Sequence, residues 1–144
     1  MSSPVVVDAS LATMWVVPEP FSDRALQQVE WWADEQSWLL APCFFLAEVT
    51  NALYKRVIRH EVQLAAAQDA LRVLLGFGVE LREEPGLAER AMELADELSR
   101  PTTYDCYYLA LAEWYEGDLW TGDRRFFNAV RETHPRVKWI GSST

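Results

Sequence analysis

The stretch that most constrains the fold is Pro4-Val5-Val6-Val7-Asp8, near the start of the chain. Three β-branched residues in a row, bounded by proline and by small polar residues, are typical of a short strand that is buried on both faces. A carboxylate that directly follows such a strand lies at the sheet edge where open α/β proteins bind their ligands. We therefore expect the other acidic residues that have a function to gather around Asp8.

Strand and helix patterns alternate along the rest of the chain. Apolar runs predict further strands at residues 38–41, 79–81, 119–121 and 137–140. Helical spacing predicts a short helix or turn over 11–17 and helices over 21–35, 44–60, 61–75, 85–98, 104–116 and 124–130. This alternation predicts an α/β fold, a three-layer α/β/α sandwich with a short central parallel sheet of four to five strands. Because no linker, repeat or low-complexity segment interrupts the pattern, residues 1–144 are expected to form a single domain.

The charge of the chain restricts how it could reach a nucleic acid. Its 22 acidic and 13 basic residues give a net charge of −9. This balance argues against a sequence-independent nucleic-acid binder, which would present a basic stripe. It does not exclude an enzyme that approaches phosphates through bound cations, whose charge is absent from the count. The seven tryptophans predict a large aromatic core or an interface.

The cysteines and the N-terminal residues indicate the cellular compartment in which we expect the protein. Cys43 and Cys106 form no C-x-x-C pair and have no histidine partner at zinc spacing. Both stand in apolar surroundings, so we expect buried, reduced thiols in a cytoplasmic protein. The N-terminus lacks the pattern of a signal peptide, and no apolar stretch approaches the roughly 20 residues that a membrane helix needs.

Four acidic residues stand at positions where a carboxylate needs a partner. Asp8 and Asp123 each follow a predicted strand, so both should open onto the same edge of the sheet. Glu48 and Asp105 lie on helices that are otherwise apolar nearby. Burying an unpaired carboxylate costs several kcal/mol, and we identify no lysine or arginine close in sequence to Asp8, Glu48 or Asp105. A shared divalent cation would resolve this problem for all four.

Each acid also has a simpler interpretation when it is taken alone. Asp8 is then a loop acid after a strand, and Asp105 is a first-turn acid that complements the helix dipole. Asp123 is the N-cap of the following helix, and Glu48 occupies a solvated edge position. As a set, the four carboxylates suit Mg²⁺ or Mn²⁺, and we expect at least three of them to lie within a few ångströms of a common point.

Neighbouring polar and basic residues extend this hypothesis to a phosphodiester substrate. Ser10, Asn51 and Thr121 could supply further oxygens or hold the carboxylates in place. Two groups of cations are candidates for binding phosphates, with solvated surface charge as the alternative for each. They are Arg124 and Arg125, directly after Asp123, and Lys55, Arg56 and Arg59. Trp15 could stack a base, although core packing is the simpler interpretation.

Four motifs in the same order resemble the PIN-domain proteins, in particular the VapC-type toxins of toxin–antitoxin pairs. The motifs are VDAS (7–10), LAEVTNAL (46–53), YDCYYLALAE (104–113) and LWTGDRRF (119–126). The resemblance implies that Asp8, Glu48, Asp105 and Asp123 form a catalytic quartet that binds Mg²⁺ or Mn²⁺. It also implies an endoribonuclease of RNA, a homodimer, and inhibition by a cognate antitoxin protein that docks over the acidic groove.

Other functions remain to be compared with this one. A haloacid-dehalogenase-type phosphatase requires a second aspartate where this chain has Ser10. A receiver domain requires paired acids after the first strand, and a dinucleotide-binding fold requires a glycine-rich turn there, and neither pattern is present. Two alternatives within the PIN-like fold stay open: a catalytically idle binding or scaffold module, and a housekeeping nuclease without an antitoxin.

Overall fold

A five-stranded parallel sheet forms the centre of the protein, which the computed structural model describes over residues 2–142. The strands are β1 Pro4–Val7, β2 Trp38–Pro42, β3 Glu80–Arg82, β4 Asp118–Thr121 and β5 Val137–Trp139. Their order across the sheet is β3-β2-β1-β4-β5. The helices that flank the sheet are α1 Ala9–Met14, α2 Ser22–Asp34, α3 Phe45–Ile58, α4 Leu64–Leu75, α5 Leu87–Glu97, α6 Tyr104–Tyr115 and α7 Arg124–Val130. The predicted α/β architecture is therefore confirmed, with five strands.

The valine run occupies the middle of this sheet. Strand β1 pairs in parallel with β2 on one side and with β4 on the other, so that Val6 lies between Leu40 and Leu119. Val6 and Val7 are fully buried, as a strand covered by helices on both faces requires. Because β1 and β4 are neighbours and run in the same direction, the residues that follow them meet at one edge.

Two predicted helix boundaries were wrong at the connection between α3 and α4. Helix α3 ends at Ile58 rather than at His60, which has a left-handed φ of 60°. Helix α4 then begins at Leu64 rather than at Glu61. Helical spacing alone does not report this turn, because the backbone N–H of Glu61 bonds to the carbonyl of Arg56 and closes the helix end.

The expectation of two buried thiols holds for Cys106 but is wrong for Cys43, which is exposed. Cys43 follows β2 directly, in the turn that leads into α3, and therefore lies outside the core. Trp15 is 3% exposed and packs against Phe77 with ring centroids 5.1 Å apart, so it belongs to the core and does not offer a stacking face. Within the described part of the chain, no helix is long and apolar enough to cross a membrane.

Candidate active site

Asp8 is fixed at the point where β1 passes into α1. It is the N-cap of α1, and its Oδ1 accepts hydrogen bonds from the backbone N–H of Leu11 at 2.9 Å and from Ser10 Oγ at 2.7 Å. The residue is only 6% exposed. The sequence places Asp8 at the strand end, and the structure adds that it closes the first turn of the next helix.

Burial makes the charge of Asp8 costly. Loss of solvent raises the pKa of the Asp8 carboxyl from its ordinary 3.8 to about 6. Hydrogen bonds from Thr121, Leu11 and Ser10 act in the opposite direction, and the negative charge of Asp105 raises this pKa further. Asp8 is therefore a carboxylate at neutral pH that lacks full compensation.

Ser10 and Thr121 join the ends of β1 and β4. Ser10 Oγ lies 3.4 Å from Thr121 Oγ1 and accepts a hydrogen bond from the backbone N–H of Gly122 at 3.0 Å. Gly122 permits this approach, since a Cβ there would lie 2.7 Å from Met14 Cε and 3.0 Å from the carbonyl oxygen of Ser10. The fully buried Thr121 also accepts a bond from the backbone N–H of Asp123 at 2.9 Å.

Asp123 caps α7, as one of its two predicted roles requires. Its Oδ1 accepts from the backbone N–H groups of Arg125 at 2.9 Å and Phe126 at 3.2 Å. These two bonds use one carboxylate oxygen and orient the group next to the end of β4. The cap is compatible with a second role for the same side chain, because Oδ2 takes no part in it.

Glu48 is held by a tyrosine from another helix. Tyr108 on α6 donates its hydroxyl to Glu48 Oε1 on α3 at 2.6 Å. Tyr108 is 2% exposed, and burial together with the Glu48 carboxylate raises the pKa of its phenol far above the ordinary range, so the phenol keeps its proton. Burial also raises the pKa of Glu48, Tyr108 lowers it, and Asp105 raises it.

The charge of Asp105 is coupled to the charge of each of the other three acids. It lies in the first turn of α6, and burial followed by the charge of Asp123 raises the pKa of its carboxyl. The charge of Asp105 in turn raises the pKa values of Asp8 and Glu48. The structure thus brings the four predicted acids into one electrostatic group, which we call the acidic edge: Asp8, Glu48, Asp105 and Asp123.

Among residues 2–142, one cation forms an ion pair with this group. Arg100 Nη2 lies 3.5 Å from Asp105 Oδ2 and lowers the pKa of that carboxyl. The backbone turns at Ser99, whose φ is 52°, and this turn returns the Arg100 side chain toward α6. The statement that no basic residue stands close in sequence to Asp105 was therefore wrong.

A groove of about 430 Å³ extends from the acidic edge between α1 and α3. Glu48 of the acidic edge, Ser10 and Asn51 are among its lining residues. The other lining residues are Ala9, Thr13, Met14, Glu19, Ala52, Lys55, Arg56, Arg59 and Gly122. The groove therefore joins the acidic edge to one of the two predicted groups of cations.

The cations near the acids differ in how they are engaged. Arg56 forms ion pairs with Glu19 at 3.6 Å and Glu61 at 3.2 Å, whereas Lys55 and Arg59 are exposed and form no ion pair with the described residues. On α7, Arg124 lies over the Trp139 ring at 5.3 Å from its centroid. The neighbouring Arg125 is exposed.

Comparison with known proteins assigns the family. The sequence model of the PIN domain matches residues 5–132, which include all four acids of the acidic edge. The chain belongs to the PIN-domain family. The resemblance predicted at this level is confirmed, and PIN domains are generally metal-dependent nucleases. No protein with a curated description matches the chain significantly.

A solved structure supports the same assignment. The protein is similar to PAE2754 from Pyrobaculum aerophilum, known from a crystal structure, with 25% sequence identity and a TM-score of 0.69. The similarity covers 97% of this chain and 92% of the other. The sheet and its flanking helices are therefore a PIN fold over nearly the whole chain.

The donor chemistry of this PIN domain suits a hard divalent cation. The acidic edge offers carboxylate oxygens, with the hydroxyls of Ser10 and Thr121 beside them, and these are the ligands that Mg²⁺ and Mn²⁺ prefer. However, no three His, Cys, Asp or Glu side chains among residues 2–142 are arranged to hold a metal ion. The expectation of three carboxylates at a common point is not met in this arrangement. The fit to an ion therefore rests on donor chemistry and on the uncompensated charge.

Three residues contribute to the site although the sequence pattern did not identify them. Tyr108 contacts Glu48, Gly122 permits the approach of the β4–α7 turn to α1, and Arg100 contacts Asp105. One signal was available for Tyr108, which lies three residues after Asp105 and therefore on the same face of α6. The contacts of Gly122 and Arg100 depend on tertiary approach, which spacing along the chain does not report.

Proposed function

We propose that this PIN-domain protein is an endoribonuclease that hydrolyses RNA phosphodiester bonds with water activated by Mg²⁺ or Mn²⁺. The observation that carries the proposal is the acidic edge, where the pKa values of Asp8, Glu48 and Asp105 are raised by burial and by neighbouring carboxylates. Among residues 2–142, a single arginine contacts the group, at Asp105. A bound divalent cation lowers the pKa of its water and neutralises charge on the phosphoryl oxygens. Asp8, Glu48, Asp105 and Asp123 are the residues that would hold it.

The polar neighbours of these acids have positioning roles in the proposal. Ser10 and the backbone N–H of Leu11 bind Oδ1 of Asp8, which leaves Oδ2 as the oxygen these two bonds do not use. Thr121 ties the turn after β4 to the same place, since it accepts from the N–H of Asp123. One carboxylate of the edge would accept the proton of the attacking water.

The groove between α1 and α3 supplies a path for the RNA strand. Lys55 and Arg59 stand one helical turn apart on α3 and are not neutralised by a described carboxylate, so they are available for phosphates. Asn51 lies between them and Glu48 along the helix. Arg125 provides a further exposed cation beside Asp123, while Arg56 and Arg124 are already engaged.

The enzymatic proposal is tested by RNA cleavage with the purified protein. We expect a single-stranded RNA to be cut in Mg²⁺ or Mn²⁺ and to stay intact in EDTA. Asp105→Asn should reduce the cleavage rate by at least about 100-fold, because it removes the acid that the other three share. Glu93→Gln, an exposed acid on α5, is the matched control and should cleave like the parent. Equal cleavage by Asp105→Asn would reject the site, and the idle-scaffold alternative predicts no cleavage by the parent at all.

The same motifs support a more specific proposal, that the protein is the toxin of a toxin–antitoxin pair, acts in the cytoplasm as a homodimer, and is inhibited by a cognate antitoxin protein. An apolar face on α3 and α4 is suited to a protein partner, since Tyr54, Ile58 and Leu64 are each more than half exposed. Expression of the parent should arrest growth, and expression of Asp105→Asn should not. Active protein that is harmless to its host without any bound partner would instead favour a housekeeping nuclease.

A further inference from the structure

We propose that Tyr108 is a positioning residue that holds the Glu48 carboxylate at the acidic edge for a divalent cation. The inference rests on the proposed function, because it assigns Glu48 to the cation site. It adds a residue that is not an acid and that acts through a side-chain contact between α6 and α3. Its role is exercised through Glu48 and requires no contact with the substrate.

The hydrogen bond between the two side chains is the first observation. Tyr108 OH lies 2.6 Å from Glu48 Oε1, and the bond joins α6 to α3 across 60 positions of sequence. Among residues 2–142, no other side chain or backbone group donates to the Glu48 carboxylate. The phenol is therefore the group that decides where this half-buried carboxylate points.

The position of the phenol is itself fixed by packing. Tyr108 is 2% exposed, and its ring meets the edge of Phe44 with centroids 5.5 Å apart and an interplanar angle of 86°. Phe44 is the N-cap residue of α3, the helix that carries Glu48 in its first turn. Donor and acceptor are thus held by the same contact between α3 and α6.

The hydroxyl and the ring have separable effects. A glutamate side chain has several accessible rotamers, and a bond to one carboxylate oxygen removes most of them while leaving Oε2 available. Outer hydrogen bonds of this kind change metal affinity by about 10- to 100-fold when they are removed. Loss of the hydroxyl should therefore weaken cation binding without disturbing the ring packing.

Tyr107 is the matched control. Its ring packs on Phe44 at 5.2 Å, close to the distance of the Tyr108 ring, but its hydroxyl does not contact Glu48. Tyr107→Phe and Tyr108→Phe each remove one hydroxyl from the same aromatic cluster. A difference between them isolates the bond to Glu48 from a general effect on the cluster.

The test is calorimetric titration of the parent and the variants with Mn²⁺, which does not depend on RNA cleavage. Tyr108→Phe should weaken Mn²⁺ binding by about 10- to 100-fold, and Tyr107→Phe should leave it unchanged. In a Glu48→Gln background, Tyr108→Phe should have no further effect. Thermal unfolding of each variant identifies any loss of folding.

Several results would overturn the inference. They are parent-like Mn²⁺ affinity in Tyr108→Phe, an equal loss in Tyr107→Phe, an undiminished effect of Tyr108→Phe in the Glu48→Gln background, or absence of Mn²⁺ binding by the parent. If Tyr108→Phe is unfolded at the temperature of the titration, both tyrosine variants are titrated at a lower temperature at which thermal unfolding shows them to be folded. A parent that binds Mn²⁺ through this pair but cuts no RNA would reject the proposed ribonuclease and leave the positioning role intact.

Discussion

Two groups of acidic residues in this protein have opposite electrostatic situations. On α5 and α6, Arg90 forms ion pairs with Glu113, Glu93 and Glu97. Its contacts to the two oxygens of Glu113 measure 2.9 and 3.1 Å, and they raise the pKa of the guanidinium above its ordinary value. At the acidic edge, the one ion pair among residues 2–142 joins Arg100 to Asp105 at 3.5 Å, and the pKa values of Asp8, Glu48 and Asp105 are raised.

The carboxylates around Arg90 are neutralised by a side chain of the protein, whereas most of those at the acidic edge are left for a ligand to neutralise. Around Arg90 the carboxylates surround a cation near the surface, where exposed ion pairs make a modest contribution to stability. At the acidic edge, Asp8, Glu48 and Asp105 are partly or fully withdrawn from water, and the charge of a neighbouring carboxylate raises the pKa of each. A bound divalent cation would neutralise the carboxylates of the acidic edge as Arg90 does those around it, which is why we propose catalysis at the edge.

The largest expected effect distinguishes the two groups by activity. Asp8→Asn should reduce RNA cleavage by at least about 100-fold, because it removes a carboxylate oxygen donor of the proposed cation site. Glu97→Gln changes an acid of the Arg90 group in the same way and should leave the rate within a factor of about 2, since no step of the proposed reaction uses it. Comparable losses in both variants would mean that the two groups are not functionally distinct.

The next effect concerns stability: Asp8→Asn should make the protein more stable although it makes it less active. The raised pKa of Asp8 means that the folded protein takes up a proton more readily than the unfolded chain between pH 3.8 and about 6. Stability associated with protonated Asp8 is present below pH 3.8 and is lost as pH rises through about 6. In EDTA at pH 7.5, Asp8→Asn should therefore raise the free energy of unfolding by about 3 kcal/mol.

Urea unfolding at several pH values checks this prediction. The gain from Asp8→Asn should shrink between pH 6 and pH 4, because the parent then acquires the proton that removes its penalty. The amide oxygen of asparagine can keep the bonds from Ser10 and Leu11, so the N-cap remains. A destabilised variant, or a gain that does not vary with pH, would contradict the uncompensated charge.

A smaller effect is expected at Arg90. Arg90→Met removes the cation from three carboxylates but keeps much of the apolar stem of the side chain. It should lower the free energy of unfolding by about 1 kcal/mol, in line with a partly exposed network, and leave RNA cleavage unchanged. Urea unfolding in low and high salt measures the effect, which should be smaller in high salt.

The smallest effect tests whether unpaired cations bind the substrate. The Lys55→Ala, Arg59→Ala double variant should weaken RNA binding and reduce the slope of log K against log salt by about 1.4, as loss of two phosphate contacts to a single strand requires. Arg56→Ala, which breaks pairs with Glu19 and Glu61, should reduce the slope by less. All variants are made in the Asp105→Asn background, so that fluorescence anisotropy measures RNA binding without cleavage. Equal salt slopes for the background protein and its variants would exclude the groove as the path of the RNA strand.

The sequence was sufficient for the parts of the structure that depend on local pattern. The valine run predicts the central strand because a buried strand needs apolar residues on both faces, and β1 is that strand. Asp8 and Asp123 were placed at one edge because both follow parallel strands, and β1 and β4 prove to be neighbours. The order of four short motifs predicts the PIN family, and the family comparison confirms it.

Contacts between segments that are distant in sequence could not be predicted from the sequence pattern. Nothing in the spacing links Tyr108 to Glu48, because their bond depends on how α6 packs against α3. Arg100 reaches Asp105 through a left-handed turn at Ser99, which helical periodicity does not encode. Cys43 was expected inside from its apolar neighbours, but the chain turns outward after β2. The roles of the four acids in metal binding and catalysis remain predictions.

Calorimetric titration of the metal-free protein with Mn²⁺, compared with Asp105→Asn, tests the central claim most directly. If the acidic edge is a cation site, the parent will bind Mn²⁺, and the ion will raise its unfolding temperature. At a free Mn²⁺ concentration of a hundred times Kd, the free energy of unfolding should increase by about 2.7 kcal/mol. Asp105→Asn should bind Mn²⁺ at least about tenfold more weakly. A parent without a binding signal, or an Asp105→Asn variant that binds equally well, would contradict the account.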